Sequence, residues 1–385
     1  MSEDSKLVRG RVYHIRKHGA ITFITLSVNG ALVNLRLEKN KLAEYQVHYP
    51  NLSRGVLLVL LQFEKSLDNA GTQILVVLKL RIQGYTRNFP KEFPKNQIKN
   101  KEVKYKNKIL DCISNLKSFD NLKKRYDLIQ LVRYYFTSLN STEVDIPILE
   151  ESFGGAFAKP FETKCQYNSK KYYLRVSHEF PLKRLLIAGF ENVYCIGPCF
   201  RNESLDSTHS FEYLHLEHYH VHSTVRNAQK LIEKLYLLCY QHVNNSVISH
   251  DFDLSTDWPT YDKKDIAELL KKHNLNHLDQ LMERKLLGPY YHLQGLESNP
   301  LAKNPHSFDT MIDFDLELAT GYQEENDAEK IVEHSTYKEI LDKKFLHDLN
   351  YGLFETVGLG IGLDRLIKSV LKSDCLREIQ TFPHI

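Results

Sequence analysis

The chain has 385 residues, which is long enough for two or three domains with substantial cores. With 51 Lys and Arg against 48 Asp and Glu, its net charge of +3 is too small to indicate nucleic-acid binding by itself. The absence of any run of about 18 apolar residues excludes a membrane-spanning helix.

Cysteine usage and the first residues favour a cytoplasmic protein. The first ten residues lack the apolar core of a secretory signal. The six cysteines form no CxxC pairs, which predicts free thiols in a reducing compartment: Cys112, Cys165, Cys195, Cys199, Cys239 and Cys375.

Residues 1–86 have the pattern of short strands separated by turns. Most connections are too short for crossover helices, so a small barrel of the OB-fold type is expected. The predicted strands are Leu7–Ile15, Ala20–Val28, Leu32–Leu37, Val56–Phe63 and Gln73–Arg81. Such barrels bind single-stranded nucleic acid with basic and aromatic side chains, and the candidates are Arg16, Phe23 and Asn34. A core position for Phe23 is the alternative.

Residues 87–108 contain two prolines and seven lysines, which indicates an exposed basic linker. Its lysines are either solvated or in contact with a nucleic-acid backbone. From residue 109 onward, adjacent strands joined by loops imply an antiparallel sheet, so the predicted fold class is α+β. The predicted helices in this part are Phe119–Leu139, Pro181–Ala188 and Val225–Val243.

A hairpin with a polar loop at its tip is predicted within residues 192–222. Because residues two apart on a strand share a face, Arg201 is expected to point with Glu203, and Glu217 with Tyr219. A guanidinium, carboxylates and a phenol on one surface suit a ligand with a phosphate and an ammonium group. The alternative is a solvated face with cross-strand ion pairs.

Four histidines also occur in this hairpin, at positions 215, 218, 220 and 222. Alternation places the last three on the face opposite Glu217 and Tyr219. A packed or solvated outer face is favoured there over a zinc site.

Alternate glycines in the stretch 358–362 allow a ligand or another backbone to approach an apolar strand closely. Residues 363–371 then have apolar positions at helical spacing. Arg365 therefore falls in the first turn of a helix, where backbone N–H groups favour phosphate.

The hairpin and the glycine-rich strand resemble motifs 2 and 3 of class II aminoacyl-tRNA synthetases. Their Asp/Asn/Lys subgroup is the most similar, and its lysyl members above all. The amphipathic helix 125–139, followed by Pro147, is similar to motif 1, whose proline lies at the dimer interface in the family. Residues 154–161 are similar to the amino-acid-binding loop of the lysyl members, and residues 376–383 to the usual end of the subgroup.

The resemblance covers residues 7–385 in the expected order. It implies an enzyme that activates lysine with ATP and transfers it to tRNA, and that forms a homodimer. Residues 1–86 would be the OB-fold anticodon-binding domain, 87–108 the basic linker and 109–385 the catalytic domain. A paralogue that modifies a non-tRNA acceptor and a non-catalytic tRNA-binding protein are the alternatives.

The resemblance also implies the residues that bind ATP. Arg201 matches the catalytic arginine at the α-phosphate, and Arg365 the catalytic arginine at the γ-phosphate. The other ATP-binding residues it implies are Glu203, His209, Tyr213 and Glu317.

For Mg²⁺, Glu317 matches one family ligand. The second ligand lies seven positions upstream in lysyl members, where this chain has Thr310, a poor ligand. Asp309 could replace it if a β-bulge accommodates the extra residue.

For the amino acid, the resemblance implies that Glu179 and Glu217 receive the α-ammonium and that Gly155 provides the close-approach backbone of the binding loop. Glu324 and Tyr219 would hold the side-chain ammonium, because a glutamate at position 324 suits a positive side chain. The sequence from Thr320 to Gln323 is instead closer to aspartyl and asparaginyl members. The charge of Glu324 nevertheless favours lysine over aspartate or asparagine, since an unpaired buried charge is costly.

Overall fold

A computed structural model describes residues 7–38, 52–68, 70–84, 98, 100–156, 158–244, 257–275, 289–293, 301–303, 307–312, 316–335 and 342–385. The chain divides into two compact units, Met1–Asp120 and Asn121–Ile385. Within these described ranges, no helix is long and apolar enough to cross a membrane.

The first unit contains a closed five-stranded barrel with strand order β1-β2-β3-β5-β4. Its strands are β1 Val8–His18, β2 Ile21–Val28, β3 Ala31–Glu38, β4 Leu57–Leu67 and β5 Gln73–Gly84. Alternate residues such as Val12, Ile24 and Leu35 form the barrel core. The predicted OB-type barrel is therefore confirmed. Phe23 is 37% exposed, so its side chain is not part of this core.

Three helices follow: α1 Lys101–Lys106, α2 Lys108–Ser114 and α3 Leu116–Ser138. The side chain of Asn100 accepts hydrogen bonds from the first turn of α1, which explains where this helix begins. Helix α1 lies within the predicted linker, whose residues 87–97 and 99 are outside the described residues. The predicted domain boundaries stay predictions.

The second unit is built on an eight-stranded sheet with the order β12-β13-β14-β15-β16-β11-β10-β6. The central pairs are antiparallel, as predicted, whereas the outermost pair at each end is parallel. Its strands are β6 Thr142–Glu143, β10 Asn192–Phe200, β11 Glu212–Val221, β12 Thr260–Tyr261, β13 Tyr290–Leu293, β14 Phe308–Ile312, β15 Leu316–Gln323 and β16 Thr356–Gly362. A separate small sheet contains β7 Leu149–Glu150, β9 Lys171–Leu174 and β8 Glu162–Lys164.

Helices cover both faces of the large sheet. On one face, α3, α5 (Val225–Asn244) and α9 (Leu363–Val370) bury the main core of this unit. On the other face, α4 (Glu179–Ile187) and α8 (Lys343–Leu349) pack through the stacked rings of Phe180 and Phe345. The remaining helices are α6 Lys263–Lys272, α7 Ala328–His334 and α10 Leu376–Ile379. The α+β class is confirmed.

Candidate active site

A cavity of about 400 Å³ lies over the sheet of the second unit. Of the twelve residues predicted to bind ATP, metal or amino acid, ten line it: Gly155, Glu179, Arg201, Glu203, His209, Tyr213, Glu217, Tyr219, Glu317 and Arg365. The other two, Asp309 and Glu324, are buried and are not among the described residues that line the cavity.

The loop at the tip of the β10–β11 hairpin carries the first arginine. Strand pairing ends at Phe200 and Glu212, so Arg201 and Glu203 lie in the loop and not on a strand. The expectation that alternation aligns these two side chains was therefore wrong. They line the same cavity because the loop is held by Arg201 N–H donating to Phe211 O and Asn202 N–H donating to Lys159 O.

Two arginines mark one part of the cavity. The guanidinium of Arg201 lies 5.4 Å from the ring centroid of Tyr213, and its buried Nε has no partner among the described residues. Arg365, in the first turn of α9 as predicted, donates to Glu317 O at 2.8 Å and Thr208 O at 3.4 Å. These bonds fix Arg365 between β15 and the hairpin loop, where its remaining N–H groups can meet an anion.

His209 belongs to the same loop and is half exposed. Its Nδ1 lies 2.8 Å from Asp206 Oδ2, and its backbone N–H donates to Asp206 Oδ1. Hydrogen bonds from Thr208 and His209 outweigh partial burial and lower the pKa of Asp206 to about 2. The ionised Asp206 therefore organises the loop from within.

His215 is a cavity residue that the sequence reasoning had considered only as a possible metal ligand. It shares a face of β11 with Glu217 and Tyr219, and it lines the cavity beside Tyr213. Burial, followed by the charges of Arg201 and Arg365, lowers its pKa to about 3. His215 is therefore neutral at physiological pH and can only donate or accept hydrogen bonds there.

The other histidines of this strand lie elsewhere. His218 faces the α3 side, where Phe136 packs against its ring and Asn192 and Ser141 contact its Nε2. The predicted opposite face is confirmed for His218, while His222 follows the end of β11 and has a positive φ of 55°. Among the described residues, no group of three or more His, Cys, Asp or Glu side chains could hold a metal ion.

A β-bulge determines where the metal candidates point. Thr310 pairs with Ala319 but Met311 pairs with Glu317, so Leu318 is the extra residue in β15. Asp309 and Glu317 consequently share the face of Thr320, which lines the cavity. Thr310 points to the other face, where its hydroxyl is buried without a partner among the described residues. The bulge that the Asp309 assignment requires is present, and metal binding itself stays a prediction.

Carboxylates dominate the other part of the cavity. Glu217 accepts hydrogen bonds from the His178 backbone N–H at 2.7 Å and from the Tyr219 hydroxyl at 2.9 Å. Glu179 accepts one from the Tyr322 hydroxyl at 3.1 Å. Burial, and then the charge of Glu179, raise the pKa of Glu217 to about 7. Such a buried carboxylate pair favours cationic ligands.

Gly155 lies beside these carboxylates in a conformation with a φ of +81°. A Cβ at this position would be 2.5 Å from Ser177 Oγ and 3.1 Å from Glu179 Oε2. Only glycine therefore allows the loop to approach the carboxylates this closely.

Lys183 and Tyr322 are the main residues that sequence reasoning missed. The Lys183 side chain is fully buried, and its Nζ contacts Glu179 Oε1 at 2.5 Å and the carboxylate of Glu324. The i,i+4 spacing from Glu179 to Lys183 on α4 was the available signal. The partnership with Glu324 carried no such signal, because it joins segments distant in sequence.

The barrel of the first unit presents a mixed basic and aromatic surface. Across β1, β2 and β3, Arg16 pairs with Phe23 and Phe23 pairs with Arg36. The next row along the same face pairs Thr25 with Asn34, and their side chains are 3.3 Å apart. The three predicted tRNA-binding residues thus share one face of the barrel.

Residues 100–385 match the family described as tRNA synthetases class II (D, K and N), and the chain belongs to this family. It is 30% identical to a lysine–tRNA ligase of Mesomycoplasma hyopneumoniae, over 75% of this chain and 70% of that protein. Lysine–tRNA ligases of Saccharolobus solfataricus and Mycoplasmoides gallisepticum are 28% and 30% identical, each over 98% of this chain and 86% and 87% of the relative. Membership implies an aminoacyl-tRNA ligase that uses ATP, an amino acid and tRNA.

Proposed function

We propose that the protein activates lysine with ATP and transfers the lysyl group to tRNA. The observation that carries this proposal is the distribution of charge along one face of β11. Tyr213 lies beside Arg201. Glu217 and Tyr219 lie further along the strand, which rises by about 7 Å for every two residues, and they line the carboxylate part of the cavity. Phosphates would bind at the arginines and ammonium groups at the carboxylates.

Positioning and charge are the contributions of the protein to the first step. The lysine carboxylate attacks the α-phosphorus of ATP, and pyrophosphate leaves. Arg201 would stabilise the charge that develops on the α-phosphate, and Arg365 would hold the outer phosphates. Tyr213 offers a ring, and Glu203 and His209 offer polar groups, to the rest of the nucleotide.

Mg²⁺ would be held by Glu317 and Asp309 together with phosphate oxygens of ATP. Partial burial, and then the neighbouring Asp309, raise the pKa of Glu317, while Arg365 and Arg201 oppose this shift. A carboxylate whose pKa is raised by burial and by a neighbouring carboxylate has a reason to share a cation with that neighbour. Bound there, the ion would neutralise phosphate charge.

Two further parts of the proposal concern partners and location. The face formed by Arg16, Phe23 and Asn34 would bind single-stranded tRNA bases by stacking and charge. Pro147 and the helix before it would form a homodimer interface, as the resemblance to motif 1 implies. The protein would act in the cytoplasm.

Exchange of pyrophosphate into ATP, measured with each of the twenty amino acids, tests the first step. Lysine should give the fastest exchange. Faster exchange with aspartate or asparagine would overturn the lysine proposal. It would favour instead the aspartyl or asparaginyl specificity that the sequence from Thr320 to Gln323 resembles. Lysine-dependent exchange without charging of tRNA would instead indicate a paralogue with another acceptor, and no exchange at all a non-catalytic protein.

A further inference from the structure

A buried carboxylate beside Arg365 is not used by the proposed chemistry. Asp364 lies in the first turn of α9, and its carboxylate contacts three other segments of the second unit. Its Oδ1 forms an ion pair with Arg125 NH1 of α3 at 2.6 Å, and the Asp364 and Arg125 side chains are 4% and 11% exposed. Its Oδ2 accepts hydrogen bonds from the Leu214 backbone N–H at 3.3 Å and from Gln380 Nε2 at 3.1 Å. One carboxylate therefore joins α9 to α3, to β11 and to the segment that follows α10.

We propose that Asp364, held by Arg125, is the positioning residue that fixes Arg365 for the outer phosphates of ATP. This inference rests on the proposed function, in which Arg365 binds those phosphates. Arg365 is next to Asp364 in the same helical turn, and it donates to the carbonyl oxygens of Glu317 and Thr208. These two bonds hold the end of the Arg365 side chain, whereas the contacts of Asp364 hold the helical turn from which that side chain starts.

The start of α9 depends on these contacts because it lacks a side-chain cap, its N-cap being Gly362. The ladder between β11 and β16 ends at the pair of His215 with Gly362. The Leu214 N–H, one residue beyond this pair, donates to the Asp364 carboxylate, which thereby extends the attachment of β16 to β11 into the helix. A displacement of this turn would move Arg365 with it.

Arg125 acts on ATP through Asp364. It is not among the described residues that line the cavity, whereas Asp364 and Arg365 both line it. In a buried ion pair, loss of either partner leaves the other charge without compensation, and the structure around it must adjust. Such an adjustment here would shift the first turn of α9, and a displacement of about 1 Å at a group that binds substrate can lower the rate about a hundredfold.

Variants of the ion pair test the inference. Asp364→Asn keeps the shape of the side chain and removes its charge, and Arg125→Met removes the partner. Each should weaken the binding of ATP with Mg²⁺, measured by calorimetry, by roughly tenfold to a hundredfold. Arg125→Lys keeps a positive charge and should bind ATP more tightly than Arg125→Met.

Arg133→Met is the matched control on the same helix. Arg133 pairs with Glu143 at 3.0 Å, but the two side chains are 35% and 37% exposed, and neither residue is among the described residues that line the cavity. Loss of this exposed pair should leave the affinity for ATP unchanged. An equal loss in Arg133→Met and Arg125→Met would contradict a specific role of the buried pair.

AMP separates positioning from a merely structural role, because it lacks the outer phosphates that Arg365 would bind. The affinity for AMP, measured in the same way, should stay near the wild-type value in all of these variants. Equal losses for AMP and ATP would indicate that the site is loosened as a whole and would overturn the inference.

A double-mutant cycle with Arg365→Ala shows whether Asp364 acts through this arginine. Once Arg365 is removed, Asp364→Asn should cause little further loss of ATP affinity. A further loss as large as that in the wild-type background would show that Asp364 acts on ATP directly or through another group, and the inference would be wrong.

If a single variant fails to fold, Arg125→Met combined with Asp364→Asn removes both buried charges and should restore folding. This double variant should then bind ATP more weakly than the wild type and AMP equally well. Wild-type affinity for ATP in the double variant, or its failure to fold, would overturn the inference. The binding assays do not depend on the amino acid, so activation of an amino acid other than lysine by the wild type would show only that the proposed function is wrong.

Discussion

Gly358 on β16 lies directly against the carboxylate of Glu324. A Cβ at position 358 would overlap Glu324 Oε1 and would approach Tyr219 Cε1 to 2.6 Å. The alternate glycines of this strand therefore make room for a buried carboxylate and a phenol of the protein itself. The shape of the proposed amino-acid site therefore depends on the positions of the Glu324 carboxylate and the Tyr219 ring.

Gly358→Ala should raise the KM for lysine by roughly tenfold to a hundredfold, because a small displacement of Glu324 and Tyr219 disturbs the amino-acid site. The KM for ATP, measured in the same exchange assay, should stay near the wild-type value and serves as the internal control. An unchanged KM for lysine would show that the tight contact at Gly358 does not matter for substrate binding.

Arg201→Ala and Arg365→Ala should each reduce pyrophosphate exchange by at least about a hundredfold, since each removes a positive charge from the phosphate site. Circular dichroism should show an unchanged fold. Arg226→Ala is the matched control: this arginine lies on α5, outside the cavity lining, and its side chain is 42% exposed and pairs with Asp257. Its loss should leave exchange unchanged, and near-normal exchange in Arg201→Ala or Arg365→Ala would contradict the assignment.

Asp309→Asn should increase the Mg²⁺ concentration needed for half-maximal exchange, because it removes one of two carboxylate ligands. Thr310→Val is the adjacent control. The Thr310 hydroxyl is buried on the opposite face without a partner among the described residues, so its removal should neither alter the Mg²⁺ requirement nor lower the melting temperature. A larger Mg²⁺ effect in Thr310→Val than in Asp309→Asn would restore Thr310 as the metal-site residue.

Phe23→Ala and Arg16→Ala should weaken tRNA charging while leaving pyrophosphate exchange unchanged. Loss of one stacking ring typically costs about 1–3 kcal/mol, so Phe23→Ala should raise the KM for tRNA by roughly 5- to 150-fold. Lys79→Ala removes an exposed cation from β5 of the same barrel and is the control for nonspecific charge effects. Equal KM values for tRNA in all three variants would contradict the predicted nucleic-acid face.

The sequence predicted features that depend on local periodicity. The barrel strands and the position of Arg365 in the first turn of a helix follow from spacings of two and of three to four residues. Glu217 and Tyr219 were placed on one face for the same reason, and their hydrogen bond confirms it.

Features set by contacts between distant segments were not predictable in this way. Where β10 ends depends on its pairing with β11, which is why Arg201 was placed on a strand. The bulge at Leu318 depends on the register between β14 and β15. The pair of Lys183 with Glu324 depends on how α4 packs against the sheet, and a lysine on a helix is usually solvent-exposed.

The affinity for lysine should depend on pH through Glu217. Burial, and then Glu179, raise its pKa to about 7, so the group is protonated below that pH in the free enzyme. A neutral acid does not attract an ammonium group, so the KM for lysine should fall as pH rises. The expected change is about tenfold per pH unit well below pH 7, levelling off above it. Exchange kinetics between pH 5.5 and 8 at saturating ATP measure this profile.

The neighbouring histidine provides the control for this assignment. Burial and the charges of Arg201 and Arg365 lower the pKa of His215 to about 3, so His215 does not titrate in this range. His215→Gln should therefore keep the break near pH 7 whatever its effect on the rate, whereas Glu217→Gln should remove the break. A flat KM for lysine from pH 5.5 to 8, or a break that disappears with His215→Gln, would show that Glu217 does not receive the ammonium.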